Sequence, residues 1–435
     1  MAPDSGAGIV PAYGASPYPK LPLTFFAHRL GTDHCEGVSV MDFNGDGRLD
    51  IISGAYWYEN PGPAGGPWVR RQFRLVPTLD ERVTDCGEFL LDVNKNGRLD
   101  LVTSGWQRDG MYWYENPGRL GPLWKCHKIC HSVDTEGMAI GDLMGNGRNE
   151  DVVACHYDSS GLLWINFSGK QPVVHQLGAR IPRPTPKTPP KHPVWPPDFG
   201  QGDGHGVGIG DLDGDGKSDI LTRHGWFKNV NAAQNQWEWR PEWELKEEAG
   251  FPMIAYDVNA DGVMDFIYGN GHDYGLYWME QLGHGNWRQH LIDDSVSQVH
   301  AIAMADLDGD GQPELIAGKR YRADPNPGQY DPLALHYYKI DRRTQRFTRF
   351  PISYNGTAGA GTTIIPIDLD GDGDLDIIVA GRTGVHWLES YRIGSPGPRD
   401  AVRDKELRYN YDWPFSGEGT EVGQQSAPTD DATPL

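Results

Sequence analysis

Seven times along this chain the same phrase returns, an acidic loop followed by an apolar run. The copies read DFNGDGRLDII from Asp42, DVNKNGRLDLV from Asp92, DLMGNGRNEDVV from Asp142 and DLDGDGKSDIL from Asp211. They continue with DVNADGVMDFI from Asp257, DLDGDGQPELI from Asp306 and DLDGDGDLDII from Asp368. The spacings between the first aspartates are 50, 50, 69, 46, 49 and 62 residues. A repeat of this length is one supersecondary unit that buries its apolar face only against its neighbours. The repeats absorb nearly all of the 435 residues, so they predict one large domain instead of two or three ordinary ones.

Each repeat spells four short strands. In the first, CEGVSVMDFN alternates small and apolar residues up to the acidic loop, and LDIISGAYWYEN supplies two more runs broken at Gly54. A Pro/Gly turn then leads to WVRRQFRL. The pattern recurs as YWYENPG from Tyr112 with LWKCHKI, LLWINF from Leu162 with VVHQL, and YWMEQ from Tyr277 with WRQHLI. The aromatic residues of the third strands are expected to pack between blades. The seventh repeat ends in HWLESYRI with no fourth strand after it, while FFAHRLG from Phe25 matches a fourth strand. Pairing the two would close a ring and remove a sheet edge. The expectation is an all-β, seven-bladed β-propeller over residues 23–393, its blades four-stranded and antiparallel. Residues 1–22 form an N-terminal extension, 179–199 a Pro-rich insertion, and 394–435 a C-terminal tail.

The formal charge of −21 argues against nucleic acid as partner, since phosphates demand a basic surface. No apolar run is long enough to cross a bilayer. Five cysteines without a CxxC pair do not make a disulfide framework, and reduced thiols are expected. The first residues lack the basic and apolar regions of a signal peptide, which leaves cytosol and secretion both open. A monomer is expected.

The loop pattern D-x-[DN]-x-D-G-x-x-[DE] sets oxygen ligands at positions one, three, five and nine around a glycine turn, the donor set that Ca2+ prefers. The ligands would be Asp42, Asn44, Asp46 and Asp50; Asp92, Asn94, Asn96 and Asp100; and Asp211, Asp213, Asp215 and Asp219. Asp257, Asn259, Asp261 and Asp265; Asp306, Asp308, Asp310 and Glu314; and Asp368, Asp370, Asp372 and Asp376 complete the six. The third loop has Met144 at position three and Glu150 at position nine, and is not expected to hold an ion. These loops, the WYENPG strand and the seven-fold period resemble the FG-GAP/VCBS repeat propellers, a superfamily that includes integrin α-subunit heads. The resemblance covers about residues 23 to 393 and implies calcium-dependent stability.

All acidic loops lie on one face, so the start of each inner strand faces the other. Six residues before each loop stand Glu36, Cys86, Glu136, His205, Phe251, His300 and Thr362. Two residues earlier, on the same strand face, come His34, Thr84, Asp134, Asp203, Ala249, Gln298 and Ala360. The exits from the second strands add Tyr56, Trp106, Arg108, His156, Tyr157, Arg223, His224, His272, Tyr274, Lys319, Arg320, Arg322 and Arg382. Two Glu and two His converging on a channel, with cations from blades four, six and seven, point to a small anionic ligand such as a sugar carboxylate.

The set fits proton abstraction next to a carboxylate, that is, β-elimination from a uronic acid. His205, His300, His272 and Tyr274 are the candidate acids and bases, and Arg223, Arg320 and Arg382 the carboxylate-binding cations. His34, Trp106, Arg108, His156, Tyr157, His224, Lys319 and Arg322 would bind substrate, and Glu36 with Glu136 would hold one funnel metal. Architecture, length and funnel chemistry resemble the single-domain propeller rhamnose-α-1,4-glucuronate lyases. Next in likeness are the propellers of aldos-2-ulose dehydratases. The first resemblance implies action on rhamnosyl-glucuronate ends of arabinogalactan or gum arabic. A glycan-binding propeller and a glycoside hydrolase are the alternatives.

Overall fold

A computed structural model describes residues 23–63, 65–79, 82–105, 109–131, 135–155, 162–177, 205–321, 326–392 and 420–422. Their strands form seven antiparallel sheets of at least four strands, one per repeat. A single 3-10 turn, Ala232–Gln234, interrupts the all-β pattern among the described residues. Among the described residues no helix is long and apolar enough to cross a membrane.

Blade one shows the logic. Its strands are Ser39–Met41, Asp50–Ser53, Tyr56–Glu59 and Val69–Gln72, in sequence order across the sheet. The two inner strands are nearly fully buried and the outermost is exposed, as the falling apolar content of the sequence dictates. The ring closes as expected: Leu23–Gly31 pairs antiparallel with Gly384–Arg392, in register from Leu23 opposite Arg392 to Trp387 opposite His28. Blade six carries a fifth strand, because Thr420–Val422 from the expected tail pairs with Phe347–Arg349. The other expected extension, insertion and tail residues lie outside the described set.

Seven apolar clusters fill the interfaces, one between each pair of neighbouring blades. Between blades seven and one, Ile367, Ile378 and Trp387 meet Val38, Ile51 and Tyr58. Between three and four, Trp164, Val153 and Leu162 meet Val207, Ile220 and Phe227. No blade has a core of its own, which is the physical reason that the repeat must be copied around a ring. The third-strand tryptophans belong to these interfaces: Trp57, Trp164, Trp278 and Trp387 are all buried. Four of the third-strand tryptophans, Trp113, Trp164, Trp278 and Trp387, also carry a stacked histidine from the adjoining strand, at 4.3–4.5 Å between ring centroids. The five cysteines are free thiols.

Candidate functional site

Close packing at the axis draws the inner-strand starts together. A Cβ on Gly361 would lie 2.6 Å from the Glu36 carbonyl oxygen, and one on Gly250 2.5 Å from that of His300. Only glycine permits these approaches. The seven residues that the period placed on the axis, Glu36, Cys86, Glu136, His205, Phe251, His300 and Thr362, are all buried at 5 % exposure or less.

Six of the candidate residues form one network there. Arg320 Nη2 lies 2.6 Å from Glu36 Oε2, and Nη1 lies 2.8 Å from Glu136 Oε1. The same guanidinium donates from Nε to Glu36 Oε1 at 3.1 Å and from Nη1 to His300 Nε2 at 2.5 Å. Arg382 Nε donates to Glu36 Oε1 at 2.9 Å. His205 Nε2 meets Glu136 Oε2 at 3.0 Å. Blades one, three, four, six and seven thus share one chain of charge-assisted bonds.

His272 completes the cluster. Its ring stands 4.6 Å from that of His205 and 4.9 Å from that of His300, and those two are 5.1 Å apart. Its Nδ1 is bonded to Glu248, a residue the sequence reading did not single out. The backbone explains the pairing, since Ala249 bridges Asn270 and Gly271 N donates to Glu248 O at 2.7 Å. The one signal in the sequence was the Glu247–Glu248 pair immediately ahead of the fifth inner strand.

The electrostatics follow from burial and partners. Burial alone would raise the Glu136 carboxyl, yet Arg320, His205 and His300 together hold it well below the usual carboxylate range. The Glu248 carboxyl, which burial would raise, is brought down to about 2 chiefly by its bond to His272. Burial, and for His300 the Arg320 charge as well, push the His272 and His300 imidazoles down, so both are neutral at neutral pH. His272 retains 21 % of its side-chain exposure, and it is the member of the trio that solvent reaches.

Other expected residues stand elsewhere. Tyr274 is exposed and bonded to Asp331, and the Lys319 ammonium, brought down to about 8 by burial, donates to Gln298 Oε1 at 3.1 Å. His224 Nδ1 is 2.7 Å from Glu244, and Arg223 donates to the carbonyls of Leu245 and Lys246. His34 lines a separate cleft of about 410 Å3 with Asp33, Tyr56 and Gln72. Trp106, Arg108, His156, Tyr157 and Arg322, with Asp134 and Asp203, lie outside the described residues. Glu36 and Glu136, expected to hold a funnel metal, lie with Cys86 within 4.8 Å of one another, and Arg320 supplies positive charge to both carboxylates. One ring nitrogen each of His205, His272 and His300 lies within 4.8 Å of the others, a spacing that suits a cation. A cation there would face the guanidinium already seated on His300.

In the acidic loops, position one shapes the turn. Asp42 Oδ1 accepts from the N–H of Gly45 and Asp46, and Oδ2 from that of Gly47. Position nine joins the strands directly: Asp50 accepts from Phe43 N at 3.0 Å and Asn60 N at 2.8 Å. Asp100, Asp219, Asp265 and Asp376 repeat this. In the third loop Asp151, one residue later than expected, takes this task, while Glu150 pairs with Lys95 at 2.6 Å.

Carboxylate oxygens fit a hard cation in blades four, six and seven, where Asp211, Asp213 and Asp219, then Asp306, Asp308 and Glu314, then Asp368, Asp370 and Asp372 converge within 4.8 Å. The residue opposite position nine then matters. It is glutamate in blades one, two, five and seven, but Lys228 in blade four and Lys339 in blade six. Lys228 bonds Asp213 and, at 2.8 Å, Asp215, while Lys339 bonds Asp308. An ammonium therefore sits where blades four and six would place a cation.

Comparison with known proteins agrees with the repeat. Residues 257–317, from the fifth loop into blade six, match the FG-GAP-like repeat model. No curated protein matches. Among solved structures, an Agrocybe aegerita lectin described as recognising non-reducing terminal N-acetylglucosamine is 16 % identical, with TM-score 0.45 over 85 % of each chain. A Bacillus licheniformis rhamnogalacturonan lyase is 15 % identical, with TM-score 0.38 over 88 % of this chain and 75 % of that one. The rhamnogalacturonan lyase YesW is 13 % identical, with TM-score 0.40 over the same shares. The chain is a seven-bladed β-propeller that carries an FG-GAP-like repeat.

Proposed function

We propose that this protein is a carbon–oxygen lyase that cleaves a uronic-acid-containing glycan by β-elimination, with rhamnosyl-α-1,4-glucuronate ends of arabinogalactan or gum arabic as its substrate. The observation that carries the reading is the His272–Glu248 pair, a neutral, solvent-reached imidazole resting on two buried ones. The carboxylate holds the ring through Nδ1 and leaves Nε2 as a base. That base takes the proton on the uronate carbon next to the carboxyl. The electron pair forms the C4–C5 double bond, the C4–O bond breaks, and the departing oxygen takes a proton. Arg382, partly exposed and bonded to Glu36, is the cation assigned to the substrate carboxylate.

The network argues against the hydrolase alternative. That reaction needs two independent carboxyl groups across a bond, and Glu36 and Glu136 are clamped on one guanidinium. A glycan-binding role without turnover is supported by the separate cleft beside His34 and Tyr56. Incubation with gum arabic tests the choice. A lyase generates the ultraviolet absorbance of an unsaturated uronate, a hydrolase only reducing ends, and a binding protein neither. Loss of the chromophore in His272→Gln supports the assigned base, and full activity in that variant overturns it.

A further inference from the structure

The three axial imidazoles have partners of opposite kinds, and the partner decides where each ring carries its proton. A carboxylate can only accept and a guanidinium can only donate. Glu136 faces His205 Nε2, so that nitrogen bears a hydrogen. Glu248 faces His272 Nδ1, so Nδ1 bears the hydrogen and Nε2 keeps the lone pair. Arg320 Nη1 faces His300 Nε2, which must therefore accept, leaving the hydrogen on Nδ1. That Nδ1 is fully buried and has no hydrogen-bond partner among the described residues.

We infer that Glu136, Glu248 and Arg320 are positioning residues that fix where the axial trio carries its protons, with an Nε2–H on His205, a lone-pair acceptor on His272 and an N–H donor on His300. Acid and base roles are thereby separated by neighbouring side chains, and no ring has to switch before reaction. The His300 N–H, lacking an acceptor among the described residues, is available to an oxygen of a bound ligand or of water. Orphan donors of this kind are costly to bury and are retained where a ligand satisfies them. The consequence for catalysis rests on the lyase reading above; the tautomers themselves do not.

The test is nitrogen NMR of the full chain labelled with 15N-histidine, at neutral pH, with resonances assigned by His205→Gln, His272→Gln and His300→Gln. The expected spectrum has His205 protonated on Nε2, and His272 and His300 on Nδ1 alone, the form that exposed imidazoles disfavour. His205 found without Nε2–H, or His272 or His300 found with Nε2–H, overturns the inference. Glu248→Leu should release His272 toward Nε2–H, while Glu248→Gln, whose amide oxygen still accepts, keeps Nδ1–H. An unchanged ring in Glu248→Leu sinks the positioning role. Arg320→Lys keeps a donor and should keep His300 on Nδ1–H; a switch there counts against the lock. On gum arabic, Glu248→Leu should lower kcat about 10-fold or more with KM within about 2-fold. Should the native chain turn over no glycan, the lyase reading falls while the spectrum still decides the tautomers.

Discussion

Replacing Arg320 by methionine removes the one group that touches Glu36, Glu136 and His300 together. Both carboxylates are buried at about 5 % exposure, so neither can turn to water for compensation. Breaking a buried ion pair by deleting one partner costs about 3–5 kcal/mol, because the remaining charge is stranded. For the roughly 370 residues from Leu23 to Arg392, about 2.1 cal/mol/K of unfolding entropy per residue converts this to a fall in Tm of about 4–6 °C. The pH dependence supplies a second check. In the native chain Glu136 is held below its ordinary 4.5, so its contribution is complete above that value and is lost as pH falls. Without Arg320 the same buried carboxyl keeps only its bond to His205, its affinity for a proton rises, and stability is lost as pH rises. The Tm gap between the two proteins should therefore widen from pH 4 to pH 8 in scanning calorimetry. Adding Glu36→Gln and Glu136→Gln to Arg320→Met should narrow it again. A gap under about 1 °C, or one that is the same at both ends of the range, would refute the reasoning.

Calcium added to chelated protein at neutral pH should raise Tm, since a ligand at 100 times its Kd contributes about 2.7 kcal/mol per site; thermal melts with and without chelator check this, and no shift would remove the cation from the loops. Lys228→Met and Lys339→Met should each increase the number of calcium ions bound, by about one per variant, in equilibrium dialysis. An unchanged stoichiometry would mean that the lysines are not standing in for ions. Trp164→Ala, which empties the interface between blades three and four of a fully buried ring stacked on His175, should cost about 3–5 kcal/mol by denaturant titration. A cost below about 1 kcal/mol would show that the blades do not depend on this contact.

The architecture could be read from the chain because the period, the position-one aspartates and the orphan seventh repeat are local patterns, and each has one geometric solution. Counting six residues back from each loop then located the axial ring correctly. What could not be read is who pairs with whom across it. Glu36 and Arg320 are 284 residues apart, and nothing near either one names the other. That the two glutamates share a guanidinium could not be read either, because their partner lies in another blade. Glu248 escaped notice because it sits outside the inner-strand register, held to His272 by a single backbone bridge. That position nine also caps two backbone amides could not be read, since a carboxylate in that task and one that binds an ion have the same sequence.

The closure between Leu23–Gly31 and Gly384–Arg392 has a consequence for synthesis. The ring strand that is made first finds its place only when its partner, more than three hundred residues downstream, has been made. Throughout translation the nascent protein is an open arc with bare hydrogen-bonding groups at one rim, the condition that invites strand exchange between neighbouring copies. The final docking of that early segment turns a growing stack into a molecule with no beginning or end for another chain to join.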